Sequence, residues 1–147
     1  MDLASATILV VDDHEQNREL LQAYLEDVGC TVTSAADGLE ALREIERRPP
    51  DLIILDVMMP RMSGFQLCER LKSDPAMREI PIVMVTALSE IGDIERAVEA
   101  GADDFLTKPV HKIELVTRTK SLLRVRLLKR QLEATLREMR RLSGDAD

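Results

Sequence analysis

The stretch Asp51-Leu52-Ile53-Ile54-Leu55-Asp56 decides the fold. Between its two carboxylates the side chains are all apolar, with no alternation of polar and apolar character. A strand with one wet face alternates. A strand covered on both faces does not, and that is the condition of a parallel sheet held between helical layers. Two further runs have the same character, Ile8-Leu9-Val10-Val11 and Ile82-Val83-Met84-Val85. Each run hands over to a polar group: the first to Asp12-Asp13, the second to Asp56, the third to Thr86.

The segments between these runs have helical spacing. Leu21, Tyr24, Leu25 and Val28 follow an i, i+3, i+4, i+7 pattern closed by Gly29. Thr31 to Ala35 is more polar and reads as an edge strand. Asp37-Gly38 opens a second helix with Ala41, Leu42 and Ile45, which Pro49-Pro50 stops. A third helix carries Leu67, Cys68 and Leu71. A fourth carries Ile91, Ile94 and Val98 and is closed by Gly101. Asp104 to Thr107 is a short fifth strand, and Lys108-Pro109 leads into a last helix. Five strand–helix repeats imply a parallel sheet with right-handed crossovers, whose ligands sit beyond the carboxyl ends of the strands.

Composition narrows the class. Of 147 residues 45% are apolar and only 2% aromatic, so the core is aliphatic. No apolar run reaches the roughly 18 residues of a membrane span, and Met1 to Thr7 lacks the pattern of a secretion signal. Cys30 and Cys68 match no metal spacing and read as free thiols in a reducing cytoplasm. The net charge of -7 is unevenly spread. Residues 1–110 hold 22 acids against 10 bases, and residues 111–147 hold 5 acids against 10 bases. The acidic body argues against direct nucleic-acid binding.

A parallel sheet gathers Asp12, Asp13, Asp56, Thr86 and Lys108 at one edge. Clustered carboxylates repel and need a cation, and oxygen donors with water favour Mg²⁺ or Mn²⁺. A metal, an ammonium and a hydroxyl together cradle a phosphoryl group, and a carboxylate at their centre can become an aspartyl phosphate. Taken singly, each residue has a plainer alternative. Asp12 can be a helix N-cap, Asp56 a turn residue, Thr86 a strand former and Lys108 a surface charge. His14 and His111 read as solvated, and they form no zinc site with the cysteines.

The chain resembles the receiver domain of bacterial two-component response regulators. The stretches that carry the resemblance are Ile8 to Asp13, Asp51 to Pro60, Met62-Ser63-Gly64, Val85-Thr86-Ala87 and Gly101 to Pro109. It covers roughly residues 5–124, and it implies a flavodoxin-like fold with strand order 2-1-3-4-5 and five helices. It also implies a signalling switch, not an enzyme, whose only chemistry is phosphorylation and dephosphorylation of itself. Asp56 is then the phosphoacceptor, with a sensor histidine kinase as donor. Asp13, Asp56 and the Met58 carbonyl hold Mg²⁺ directly, and Asp12 holds it through water. Lys108 neutralises the phosphoryl oxygens, and a cis peptide precedes Pro109. Thr86 and Phe105 relay the change. Where the family also has tyrosine, Phe105 offers no hydroxyl, so its coupling rests on packing. Met58 and Leu88 occupy positions that flank the phosphoryl group in the family. Asp103, Asp104, Glu114 and Arg118 match positions of a charged dimer face on the fourth helix, fifth strand and fifth helix.

The last helix has no breaker from about His111 to Leu142, roughly 48 Å at about 1.5 Å per residue, and Ser143-Gly144 ends it. The receiver is expected over 5–124, a helical extension over 125–142 and a disordered tail over 143–147. Val125, Leu128, Leu132, Thr135, Met139 and Leu142 alternate +3 and +4 like the seam of a coiled coil. A homodimeric helix pair is the leading expectation, with docking on another protein and a frayed basic tail as alternatives. Flanking charges do not favour a parallel pair, which sets Arg124 against Lys129 of the partner subunit. Direct contact with nucleic acid or membrane is not expected. Two rival readings stand beside the switch. One is a Mg²⁺-dependent phosphatase with an aspartyl nucleophile, disfavoured because no Asp-x-Asp follows the first strand. The other is a receiver piece of a longer regulator carrying an output enzyme.

Overall fold

A computed structural model describes residues 3–87 and 91–144, and for Ile91 the backbone alone. Five parallel strands, β1 (Thr7–Val11), β2 (Thr31–Ala35), β3 (Leu52–Asp56), β4 (Ile82–Thr86) and β5 (Asp104–Thr107), form one sheet in the order β2-β1-β3-β4-β5. The helices are α1 (Glu15–Leu25), α2 (Gly38–Arg47), α3 (Gly64–Lys72), α4 (Ile91–Glu99) and α5 (Lys112–Ser143).

The unalternating runs are covered on both faces. Leu9, Val11, Ile53, Leu55, Ile82 and Met84 point into one core with α2, α3 and α4. Ile8, Val10, Leu52, Ile54, Val83 and Val85 point into the other with α1 and α5. Every residue of β3 and β4 is buried, whereas β2, at the sheet edge, is mostly exposed or half-buried. The polar strand and the apolar runs thus sit where solvent and packing sort them.

Local signals set the element ends. Ser63 and Gln66 form a capping box at the start of α3, and Asp37 caps α2 through the Glu40 amide. Gly29, at φ 82°, closes a short 3₁₀ turn over Glu26–Val28 that follows α1, so Val28 lies beyond the α-helix proper. Val98 of α4 is 64% exposed and does not join the core. The helical spacing that includes it is correct, but its side of the helix faces solvent.

The last helix starts one residue later than the sequence suggests, with His111 as its N-cap, and runs through Ser143 to a left-handed Gly144. Ser143 therefore belongs to the helix and not to the tail, and residues 145–147 of the expected tail lie outside the described residues. The helix also keeps contact with the domain past residue 124. Leu127 packs against the α1–α5 core, and Arg130 forms an ion pair with Asp51 at the start of β3. Among the described residues no helix is long and apolar enough to cross a membrane.

Candidate phosphoacceptor site

The carboxyl edge of the sheet brings the polar strand ends together. Val11 lies in register with Leu55, Asp56 with Val85 and Thr86 with Thr107. The next residue along β1 is therefore Asp12, beside Asp56, and the next along β5 is Lys108. Asp12, Asp56 and Thr86 are almost fully buried. The Lys108 amide donates to the Thr86 carbonyl at 2.7 Å, and the Lys108–Pro109 peptide is cis. The Lys108 Nζ stands 3.2 Å from Asp56 Oδ1.

Asp56 is the electrostatic centre. Burial raises its pKa above the ordinary carboxylate value, and the Asp12 charge raises it further, while the Lys108 ammonium pulls the other way. Neither Asp56 oxygen accepts a well-formed hydrogen bond among the described residues, and Asp13 Oδ1 is likewise buried without one. Buried carboxylate oxygens are normally satisfied, and these three, at the ends of β1 and β3, have only the Lys108 ammonium and the His14 ring beside them, which leaves room for a cation. Their all-oxygen character fits Mg²⁺ or Mn²⁺.

Asp12 is not the cap of α1. Its Oδ1 accepts from the His14 amide at 2.9 Å, an Asx turn, and His14 itself holds the N-cap position. His14 is solvated as expected, at 67% exposure, yet its Nδ1 stands 3.1 Å from Asp13 Oδ1 and 3.6 Å from Asp12 Oδ1. Nothing in the sequence points to this contact. Asp12, Asp13 and His14 form the one set of three potential metal-ligating side chains among the described residues whose ligand atoms all lie within 4.8 Å of one another.

Gly64 belongs to the Met62-Ser63-Gly64 stretch of the resemblance, and the structure supplies the reason for a glycine there. A Cβ there would lie 2.3 Å from the Asp56 carbonyl oxygen and 2.9 Å from Val57 Cα, so the start of α3 packs directly on the end of β3. The loop between them carries Met58, whose side chain is 60% exposed, and Arg61 at φ 68°. Leu88, the other flanking position, lies outside the described residues. Phe105 is half-buried against the α2–α4 core, in register with Met84.

The four residues expected on a charged face divide into two groups. Arg118 binds Asp104 at 2.7 Å and Glu114 at 3.4 Å on the exposed side of β5 and α5. Asp103 instead joins Lys72 at 2.8 Å and accepts from the Ile82 amide at 2.7 Å, tying α3 to the start of β4. Val125, Leu128, Leu132 and Met139 are all exposed on the extension.

Comparison with known proteins agrees with this geometry. A model of the family described as response regulator receiver domain matches residues 8–120. The response regulator PleD of Caulobacter vibrioides is 48% identical over 145 residues, 97% of this chain and 32% of PleD. The alkaline phosphatase synthesis transcriptional regulatory protein PhoP of Bacillus subtilis is 46% identical over 80% of this chain and 48% of its own length. The chain thus spans 32% and 48% of these relatives' lengths. A putative response regulator from Chloroflexus aurantiacus superposes with a TM-score of 0.78 at 40% identity, covering 81% of this chain and 98% of that one. The chemotaxis protein CheY4 of Vibrio cholerae superposes at 0.76 with 32% identity, covering 81% and 99%. With the family model matching residues 8–120 and the fold shared with solved relatives, the chain belongs to the response regulator receiver domain family.

Proposed function

We propose that this chain is a phosphorylation-dependent switch that accepts a phosphoryl group on Asp56. The buried Asp56 carboxylate, set beside Asp12 and 3.2 Å from the Lys108 ammonium, supports this reading most strongly. A sensor histidine kinase is the donor. An Asp56 oxygen attacks phosphorus, and the new O–P bond forms as the P–N bond of phosphohistidine breaks. The electron pair stays on the imidazole nitrogen. Lys108 pairs with the phosphoryl oxygens. Asp13, Asp56 and the Met58 carbonyl would hold Mg²⁺, with Asp12 holding it through water. The ion would neutralise charge on the phosphoryl oxygens as they crowd the carboxylates. The Thr86 hydroxyl moves to the phosphoryl group, and Phe105 follows by packing. This repositions the Asp104–Arg118–Glu114 face and the adjoining α5. The output is a change in self-association through that face or through the extended helix, in a cytoplasmic setting.

The test is intact-protein mass after incubation with acetyl phosphate and Mg²⁺. One phosphoryl group is expected on the wild-type chain, none on Asp56→Asn and none after chelation. Label retained by Asp56→Asn would place the acceptor elsewhere. Steady turnover of a generic phosphate ester would favour the phosphatase reading.

A further inference from the structure

The extension presents two faces of different character. Leu127 and Arg130 turn toward the domain, the first half-buried against the core and the second paired with Asp51. At about 100° per residue the stripe Val125, Leu128, Leu132, Met139 and Leu142 lies on nearly the opposite side, and each of these is between 48% and 73% exposed. A further leucine, Leu136, is 41% exposed and falls beside the stripe rather than on it. Because α5 is already anchored in the domain, pairing of this stripe carries no helix-nucleation cost.

Orientation follows from the flanking residues. With Val125 at an a position, the g positions are Arg124, Gln131 and Glu138, and the e positions are Lys129, Leu136 and Ser143. In a parallel pair g faces e, so Arg124 meets Lys129 of the partner subunit and Leu136 meets Gln131 of the partner subunit. One contact is repulsive and the other strands a leucine beside an amide. In an antiparallel pair g faces g and e faces e. With all six layers matched, Val125 packs on Leu142, Leu128 on Met139 and Leu132 on Thr135. Arg124 then faces Glu138 of the partner subunit twice, once on each side of the dyad. Gln131 meets its own copy and can exchange amide hydrogen bonds. Leu136 meets its own copy across the axis and is buried. Glu138 already pairs with Arg141 on its own helix, but both side chains are more than half exposed, and such a pair exchanges partners readily.

We propose that residues 125–142 pair antiparallel with the same segment of a second copy of this chain, with Leu132 against Thr135 and Arg124 against Glu138 of the partner subunit. The pairing places the two receiver domains at opposite ends of the helix pair. It rests on the reading of the extension as a self-association element and adds its orientation and register.

The test combines sedimentation equilibrium with cysteine pairing, both on the full chain. Arg124→Glu is expected to weaken the dimer roughly tenfold by replacing two attractive contacts with two repulsive ones. Adding Glu138→Arg is expected to restore it to within about threefold. In a parallel dimer Arg124→Glu relieves the clash with Lys129 and tightens association, so the sign of the effect separates the two arrangements. In a Cys30→Ser background, Leu128→Cys mixed with Met139→Cys is expected to give a disulfide-linked heterodimer, while Leu128→Cys alone does not link. Self-linking of Leu128→Cys together with tighter association of Arg124→Glu overturns the orientation but keeps self-association. A monomer at every concentration overturns both.

Discussion

Asp56 carries a cost that the fold accepts for the sake of its chemistry. Its carboxylate is 2% exposed beside another buried acid, and one ammonium offsets only part of the penalty. Because its folded-state pKa is raised, the folded protein holds this proton more tightly than the unfolded chain does. The associated stability is present at acid pH and is lost as pH rises through the raised value. Asp56→Asn removes the penalty. In Mg²⁺-free buffer at neutral pH its thermal midpoint is therefore expected to exceed that of the wild type by a few degrees. The gap should close as pH falls toward the ordinary carboxylate value of about 3.9. Scanning calorimetry at several pH values reads this, and an equal gap at every pH would refute the electrostatic cause. Much of this site is legible in the sequence, because a parallel sheet delivers whatever ends its strands to one edge. Asp12, Asp13, Asp56, Thr86 and Lys108 all end strands or follow them directly. His14 was not legible, since its contact with Asp13 depends on the turn that Asp12 makes with the His14 amide.

Among the elements, the joint between β3 and α3 constrains the site most tightly. The capping box of Ser63 and Gln66 starts α3 at Gly64, and the missing side chain lets the helix sit on the Asp56 carbonyl. Ser63→Ala removes one cap and should cost about 1 kcal/mol. Gly64→Ala drives a methyl into backbone that has no rotamer to escape through, and about 2–3 kcal/mol is expected. Urea denaturation of the two variants compares these effects, and a Gly64→Ala loss no larger than that of Ser63→Ala would mean the joint yields easily. The Met62-Ser63-Gly64 motif marks the place in the sequence, but the reason for glycine lies in a backbone approach that no periodicity reveals. The same limit applies to Val98. Helical spacing identifies a helix and its apolar positions, while exposure depends on which neighbour covers them.

The extension touches the domain as far as Arg130, through Leu127 on the core and through an ion pair with Asp51. Asp51 Oδ2 accepts from the Thr7 amide at 2.9 Å, its own amide donates to the Thr7 carbonyl at 2.8 Å, and its Oδ1 pairs with Arg130. One side chain thus joins the starts of β1 and β3 to a helix residue 79 positions later. Nothing in the sequence spacing announces a partner so distant. The carboxylate is 8% exposed but Arg130 is 55% exposed, so the ion pair is partly screened and Arg130→Ala should cost about 1 kcal/mol or less. Asp51→Ala also leaves the Thr7 amide without its side-chain acceptor in a part-buried place, and about 2–3 kcal/mol is expected. Their effects on the helix differ in kind from their effects on stability. Either change frees α5 beyond Leu123 from the base of the sheet, so amide hydrogen exchange over residues 125–142 is expected to quicken in both variants. The strands should quicken only in Asp51→Ala. Unchanged exchange along the extension in Arg130→Ala would show that Leu127 packing alone sets its direction. A quickened extension with intact strands would show that the helix leaves the domain in a direction held by a single exposed arginine. A switch at the other end of the molecule could then redirect the helix at small energetic cost.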